Sequence, residues 1–140
     1  MEHLGRLIDH VHIRVADADK SFRFYSAVLD TLGMQLAREG NDFWCDEFYA
    51  SPADDYVSRV HLAFQARDEE AVRRFHAAGL AAGGRNNGDP GLRDYHPGYY
   101  GAFLLDPDGN NIEAVYHGPA QRSADSISVT PIDTESEHKH

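Results

Sequence analysis

Over residues 8–15 polar and apolar positions alternate, with Val11, Ile13 and Val15 on one face and His10, His12 and Arg14 on the other, the two-residue period of a strand. The period then changes. Asp17 or Asp19 offers a helix N-cap, and Phe22, Tyr25, Val28, Leu29 and Leu32 recur at helical spacing until Gly33 ends the run. Residues 35–38 and 43–49 read as two short strands around the turn Gly40-Asn41-Asp42, and residues 51–56 as a polar connection. Alternation returns over 57–66, with His61, Ala63 and Gln65 on one side of a strand. Asp68, followed by Glu69 and Glu70, caps a second helix whose buried stripe is expected to be Ala71, Val72, Phe75, Ala78 and Leu80. Residues 83–98 are rich in glycine and asparagine without periodicity, so a loop over the mouth of a site is expected there, carrying Arg85 and Arg93.

The last patterned stretch is a hairpin, two apolar runs flanking Asp106-Pro107-Asp108-Gly109-Asn110. If Leu105 pairs with Ile112, Glu113 lies opposite Leu104 and shares a face with Ala102 and Tyr100. An ionised carboxylate on a half-buried sheet face is costly unless its charge is compensated.

The chain also repeats itself. The offset that superposes His10 on His61 also superposes Asp17 on Asp68, Arg23 on Arg74, Phe24 on Phe75, Ala27 on Ala78 and Leu29 on Leu80. Each half reads strand, capped helix, then shorter strands, a tandem βαβββ arrangement in the α+β class. Helix packing explains the apolar identities but not the histidines.

His10, His61 and Glu113 therefore call for a common explanation. Two imidazoles and a carboxylate are a ligand set for a first-row transition metal with open positions for water or substrate, and the cation would neutralise Glu113. The alternative is that each histidine makes an ordinary hydrogen bond.

Composition narrows the partners. With 23 acidic and 13 basic residues the formal charge is −10, which argues against nucleic acid and anionic membrane surfaces. No apolar run approaches the roughly 20 residues that cross a bilayer. The single Cys45 forms no internal disulfide, and a cytoplasmic protein is expected. Residues 118–140 are polar and read as a mobile tail, its ending His138-Lys139-His140 solvated.

Three segments together, residues 8–15 with Phe24-Tyr25, residues 60–64, and residues 103–113, resemble the vicinal oxygen chelate superfamily of glyoxalase I, fosfomycin-resistance enzymes, extradiol dioxygenases and bleomycin-binding proteins. The likeness spans residues 7–117, in modules of about 7–56 and 57–117. It implies paired βαβββ modules curling into an open cup with the helices outside, around one divalent metal (Fe, Mn, Ni, Zn or Co) held by His10, His61 and Glu113. It implies a homodimer as well, since open sheets leave edges that a second copy covers. The function implied is a metal-dependent enzyme whose small substrate chelates through adjacent oxygens, with a metal-free binding or drug-sequestering protein as the alternative.

Glyoxalase I has a fourth ligand, a glutamate on the last strand of the first module. Here Asp46 or Glu47 is available for that place, and neighbouring strand residues face opposite ways. Tyr100 is a candidate acid, base or substrate contact, Arg14 a candidate clamp for an anionic group, and His12 a residue lining the cup. Tyr95, His96 and Tyr99 are weaker candidates of the same kind. Cys45 has no basic neighbours to activate it and is expected to be structural.

Overall fold

The computed structural model describes His3 and residues 5–132, so the expectation for the ending His138-Lys139-His140 lies outside the described residues. The elements run β1 (Val11–Val15), α1 (Ala18–Asp30), β2 (Ala37–Glu39), β3 (Asp42–Cys45) and β4 (Phe48–Pro52). They continue β5 (His61–Gln65), α2 (Glu69–Ala81), β6 (Arg85–Leu92), β7 (Tyr100–Leu105) and β8 (Asn111–Tyr116). No helix among the described residues is long and apolar enough to cross a membrane.

The repeat is realised as two open four-stranded sheets of the same topology, ordered β1-β4-β3-β2 and β5-β8-β7-β6. In each, the first strand runs parallel to the last and the remaining pairs are antiparallel. Both helices start where the acidic caps place them. Asp17 accepts from the Lys20 amide at 3.1 Å and Asp68 from the Ala71 amide at 2.7 Å, each satisfying a donor that the first helical turn leaves free.

The helix-covered faces of the two sheets and the two helices share one core, including Ile13, Val15, Phe24, Tyr25 and Phe43 from the first half and Val72, Phe75, Leu104 and Ile112 from the second. Burying each such side chain contributes roughly 1.5–3 kcal/mol. The helices touch where Gly79 faces α1 and β7. A Cβ there would come within 2.3 Å of Leu104 Cδ1 and 3.0 Å of Val28 Cγ1. The second helix buries His76 rather than Leu80, which is 43% exposed; the His76 ring bonds Asn86 Oδ1 at 2.8 Å, which satisfies it inside.

Several boundaries differ from the sequence pattern, and one is that of β5, which begins at His61 and not at residue 57 because residues 57–60 pair with no strand. β1 begins at Val11, leaving His10 one residue outside it. Residues 43–49 are not one strand, because a tight turn at Asp46 and Glu47 divides β3 from β4, with Asp46 in the left-handed region at φ 49°. β4 runs on to Pro52, through what looked like the start of a connection. Half of the expected lid, residues 85–92, is the edge strand β6, whose register against β7 shifts between Asn86 and Gly88 and between Gly88 and Gly91. Those irregularities erase the two-residue period by which a strand is recognised.

The difference in hairpin register matters most. In the β7–β8 hairpin Leu105 pairs with Asn111, Leu104 with Ile112 and Phe103 with Glu113, one residue away from the expected register. The buried Asp106 carboxylate sets it. Oδ1 accepts the amides of Asp108 at 2.9 Å and Asn110 at 2.8 Å, while Oδ2 accepts Asn110 Nδ2 at 2.9 Å and the Tyr25 hydroxyl of α1 at 2.5 Å. The Asn110 side chain in turn accepts the Val60 amide at 2.7 Å, just before β5.

Tyr25→Phe is expected to lower unfolding free energy by about 2 kcal/mol, the size of a hydrogen bond to a buried charge, in urea denaturation. Gly79→Ala is expected to destabilise by about 1–3 kcal/mol through overpacking although alanine is the better helix former. A more stable Gly79→Ala protein would show that the helices are free to separate.

Candidate functional site

One-residue slips exchange the two faces of a strand. In the observed register Glu113 shares its face with Phe103, Gly101, Tyr99 and, across the parallel pairing with β5, Ala63 and His61. Tyr100 is on the opposite face, where its hydroxyl accepts from Arg73 of α2 at 3.3 Å. The expected partnership of Tyr100 with Glu113 is therefore corrected to Tyr99.

Glu113 is 1% exposed, yet both carboxylate oxygens have donors. Oε1 accepts from His61 Nε2 at 2.8 Å and Oε2 from the Tyr99 hydroxyl. Gly101 makes room for this, since a Cβ at that position would lie 3.2 Å from both Glu113 Oε2 and the Tyr99 ring. Burial, reinforced by the hydrogen bond to Glu113, pushes the Tyr99 phenol up from its ordinary range, so it remains a proton donor. His61 is the solvent-facing member of the pair, its side chain 54% exposed. Arg93 covers the neighbouring Phe103 ring at 5.3 Å, held by its own bond to the Asp89 carbonyl at 2.6 Å.

The first-module candidates gather elsewhere, on the outer face of β1 and β4. His10, His12, Asp9, Asp46 and Tyr49 line a shallow depression. His10 Nδ1 bonds Asp9 Oδ1 at 2.7 Å, His12 Nε2 bonds Ser51 Oγ at 2.7 Å, and the His12 ring meets Tyr49 edge-on at 5.0 Å. Arg14 lies on the same face, its guanidinium 3.9 Å from Asp54.

The structure therefore brings His61 to Glu113 and His10 to His12. Among the described residues no three histidine, cysteine or acidic side chains converge so as to hold a metal ion, so one chain does not assemble His10, His61 and Glu113 around a point. The His61–Glu113 pair does fit two ligands of one ion. Its 2.8 Å separation is close to the ~3 Å between adjacent donors of an ion with bonds of about 2.1 Å.

The two registers also locate the counterpart of the fourth glyoxalase I ligand. His12 pairs with Tyr49 where Ala63, its equivalent in the repeat, pairs with Glu113. Tyr49 therefore stands where a second carboxylate would, bonded to Asp42 at 2.6 Å. Asp46 and Glu47 sit in the exposed turn instead of on a strand. Cys45 is no activated thiol, because burial and then the charges of Asp46 and Glu47 push its pKa up.

A family model described as Glyoxalase/Bleomycin resistance protein/Dioxygenase superfamily matches residues 7–114. The chain belongs to this superfamily. A glyoxalase/bleomycin resistance protein from Albidiferax ferrireducens T118 is 34% identical, with a TM-score of 0.69 over 78% of this chain and 98% of that one. The fold is shared more distantly with a glyoxalase-related enzyme from Fulvimarina pelagi, 18% identical at a TM-score of 0.61, covering 86% of this chain and all of that one. It is shared also with a family enzyme from Burkholderia phytofirmans PsJN, 22% identical at 0.59, covering 76% and 95%. Comparison with curated protein sequences finds no match.

Tyr99→Phe removes one of the two donors to a buried carboxylate and is expected to cost about 1.5–3 kcal/mol of unfolding free energy. Tyr100→Phe, which frees only an exposed arginine, is expected to cost less than about 1 kcal/mol. Equal losses would place the two hydroxyls in equivalent surroundings.

Proposed function

We propose that the chain is a cytoplasmic, homodimeric metalloenzyme of the glyoxalase/dioxygenase type, acting on a small molecule with two adjacent oxygens. The observation carrying this is the His61–Glu113 pair, a buried carboxylate whose exposed imidazole partner lies at the separation of two ligands sharing one cation. Glu113 and His61 form half of the site and His10 of a second copy supplies the rest. Both halves carry exposed apolar residues suited to such a contact, Leu7 (89%) and Ile8 (58%) beside His10, and Leu92 (69%) and Tyr95 (70%) beside Tyr99. A two-fold dimer that brings one His10 to the other chain's Glu113 necessarily does so twice.

When bound, a divalent cation supplies Lewis-acid polarisation of the substrate's two oxygens. The rest belongs to this chain's residues. Tyr99 orients Glu113 and keeps its proton, while His12 and Arg14 present a donor-rich edge beside His10 for the remainder of an anionic substrate. With Tyr49 in place of a second carboxylate, His61, Glu113 and His10 of a second copy would be the three protein ligands, which would leave more of the cation open to a chelating substrate and suits an oxygenase or lyase over glyoxalase I chemistry.

The metal-free binding reading draws on the failure of one chain to gather three ligands. Under that reading affinity for a small aromatic or oxygen-rich ligand survives chelator treatment and no turnover occurs.

Elemental analysis after loading with Fe, Mn, Ni, Zn or Co decides between them. One equivalent per chain is expected for the wild type, and a loss of at least tenfold in affinity for His10→Ala, His61→Ala and Glu113→Gln. Unfolding and refolding His10→Ala with Glu113→Gln rebuilds one intact site per mixed dimer, so metal binding should return to about half in those dimers. No recovery would contradict a site shared between chains, and no metal in the wild type would remove the metalloenzyme reading altogether.

A further inference from the structure

Two exposed histidines outside the Glu113 pair are held together. His96 precedes β7 and His117 follows β8, and their rings stack at 5.0 Å and 21°. Their facing nitrogens, Nε2 of His96 and Nδ1 of His117, are 2.8 Å apart. Tyr99 packs edge-on against both rings, at 5.4 and 5.2 Å. The backbone fixes the crossing as well. Gly98 and Gly118 both have positive φ, and a Cβ on Gly98 would lie 3.2 Å from the His117 carbonyl oxygen and 3.3 Å from Gly118 Cα. The segments therefore meet backbone to backbone, with the imidazoles side by side beyond them.

The hydrogen-bond directions give the protonation pattern. The Pro97 carbonyl, 2.9 Å from His96 Nδ1, accepts, so Nδ1 carries the hydrogen and Nε2 of the neutral ring presents its lone pair. His117 Nδ1 then donates to it. Both rings are exposed, so water satisfies either nitrogen equally well and the pairing is not forced by burial. A shift of His117 to its other tautomer, with the proton on solvent-facing Nε2, leaves an unprotonated nitrogen on each ring where the two meet.

We infer that His96 Nε2 and His117 Nδ1 form an accessory binding site for a single imidazole-preferring divalent cation, Cu2+ or Ni2+ above all. The donor type favours these metals, and the spacing is compatible with them. Two nitrogens at adjacent corners of a square-planar ion with bonds of about 2.0 Å are about 2.8 Å apart, while a tetrahedral ion separates them by about 3.3 Å. The 2.8 Å of the hydrogen bond holds the two nitrogens at a spacing that adjacent corners of such an ion can accept without separating the rings. Water completes the remaining positions, and the formal charge of −10 favours cations near the surface. This site shares no ligand with His61 and Glu113 and does not depend on the function proposed for them.

The test is Cu2+ titration of the full chain carrying His61→Ala, which removes the Glu113 site from the readout, followed by calorimetry and by electron paramagnetic resonance. A tetragonal signal with two coupled imidazole nitrogens is expected. Adding His96→Ala or His117→Ala to that chain should in each case abolish the signal and the equivalent of tight binding, with at least a tenfold loss of affinity. His117→Gln keeps a hydrogen-bonding side chain for His96 and should lose the copper signal all the same, which separates coordination from local structure. An unchanged signal and stoichiometry in either alanine variant, or loss in only one of them, overturns the shared site.

Discussion

A buried carboxylate in a turn, Asp106, determines which way the chemistry of this protein faces. Two backbone amides and the Asn110 side chain close the turn on it, and the Tyr25 hydroxyl reaches it from the first module. Closing the turn at Asp106 and Asn110 sets Phe103 opposite Glu113, and that register turns Glu113, Gly101 and Tyr99 to the face of His61. A charge without partners in this place would cost several kcal/mol. Supplied with donors from α1 and the hairpin, it becomes the joint between modules. Asp108 extends the joint by accepting the Ala16 amide at the end of β1, at 3.3 Å.

The same physics recurs one layer out. Glu113 is another buried carboxylate met by a phenol and an imidazole, but here one partner is half exposed and exchangeable. Asp106 is enclosed by its own turn and reads as structure. Glu113 differs in that one of its donors, the His61 imidazole, is open to solvent. Carboxylates of equal burial thus differ in role through the accessibility of their donors.

Much of this was legible in the sequence where periodicity is regular. The alternation of His12 and Arg14 with Val11, Ile13 and Val15, the caps Asp17 and Asp68, and the repeat that makes the two halves alike all correspond to observed elements. Legibility fails where side chains rather than periods set the backbone. The hairpin register depends on Asp106 bonding amides two and four residues ahead, a pattern that aspartate before a turn permits but does not compel. Reading that bond would have moved the pairing by one residue and put Tyr99 in place of Tyr100. The glycine at 101, beside a carboxylate in an otherwise bulky strand, was the signal available. Asp46 hid the β3–β4 turn because its positive φ is a conformation that glycine usually announces. The shifts at Gly88 and Gly91 likewise disguised β6 as a loop.

The account stands on Glu113 and His61 being two ligands of a cation that one chain alone does not enclose. Anomalous diffraction at the absorption edge of a metal loaded into the dimer tests this most directly. The account predicts a peak about 2.0–2.2 Å from Glu113 Oε1 and His61 Nε2, with His10 of the second copy as the third protein ligand. Metal-loaded crystals in which the His61–Glu113 hydrogen bond persists, with no peak beside it, would contradict it.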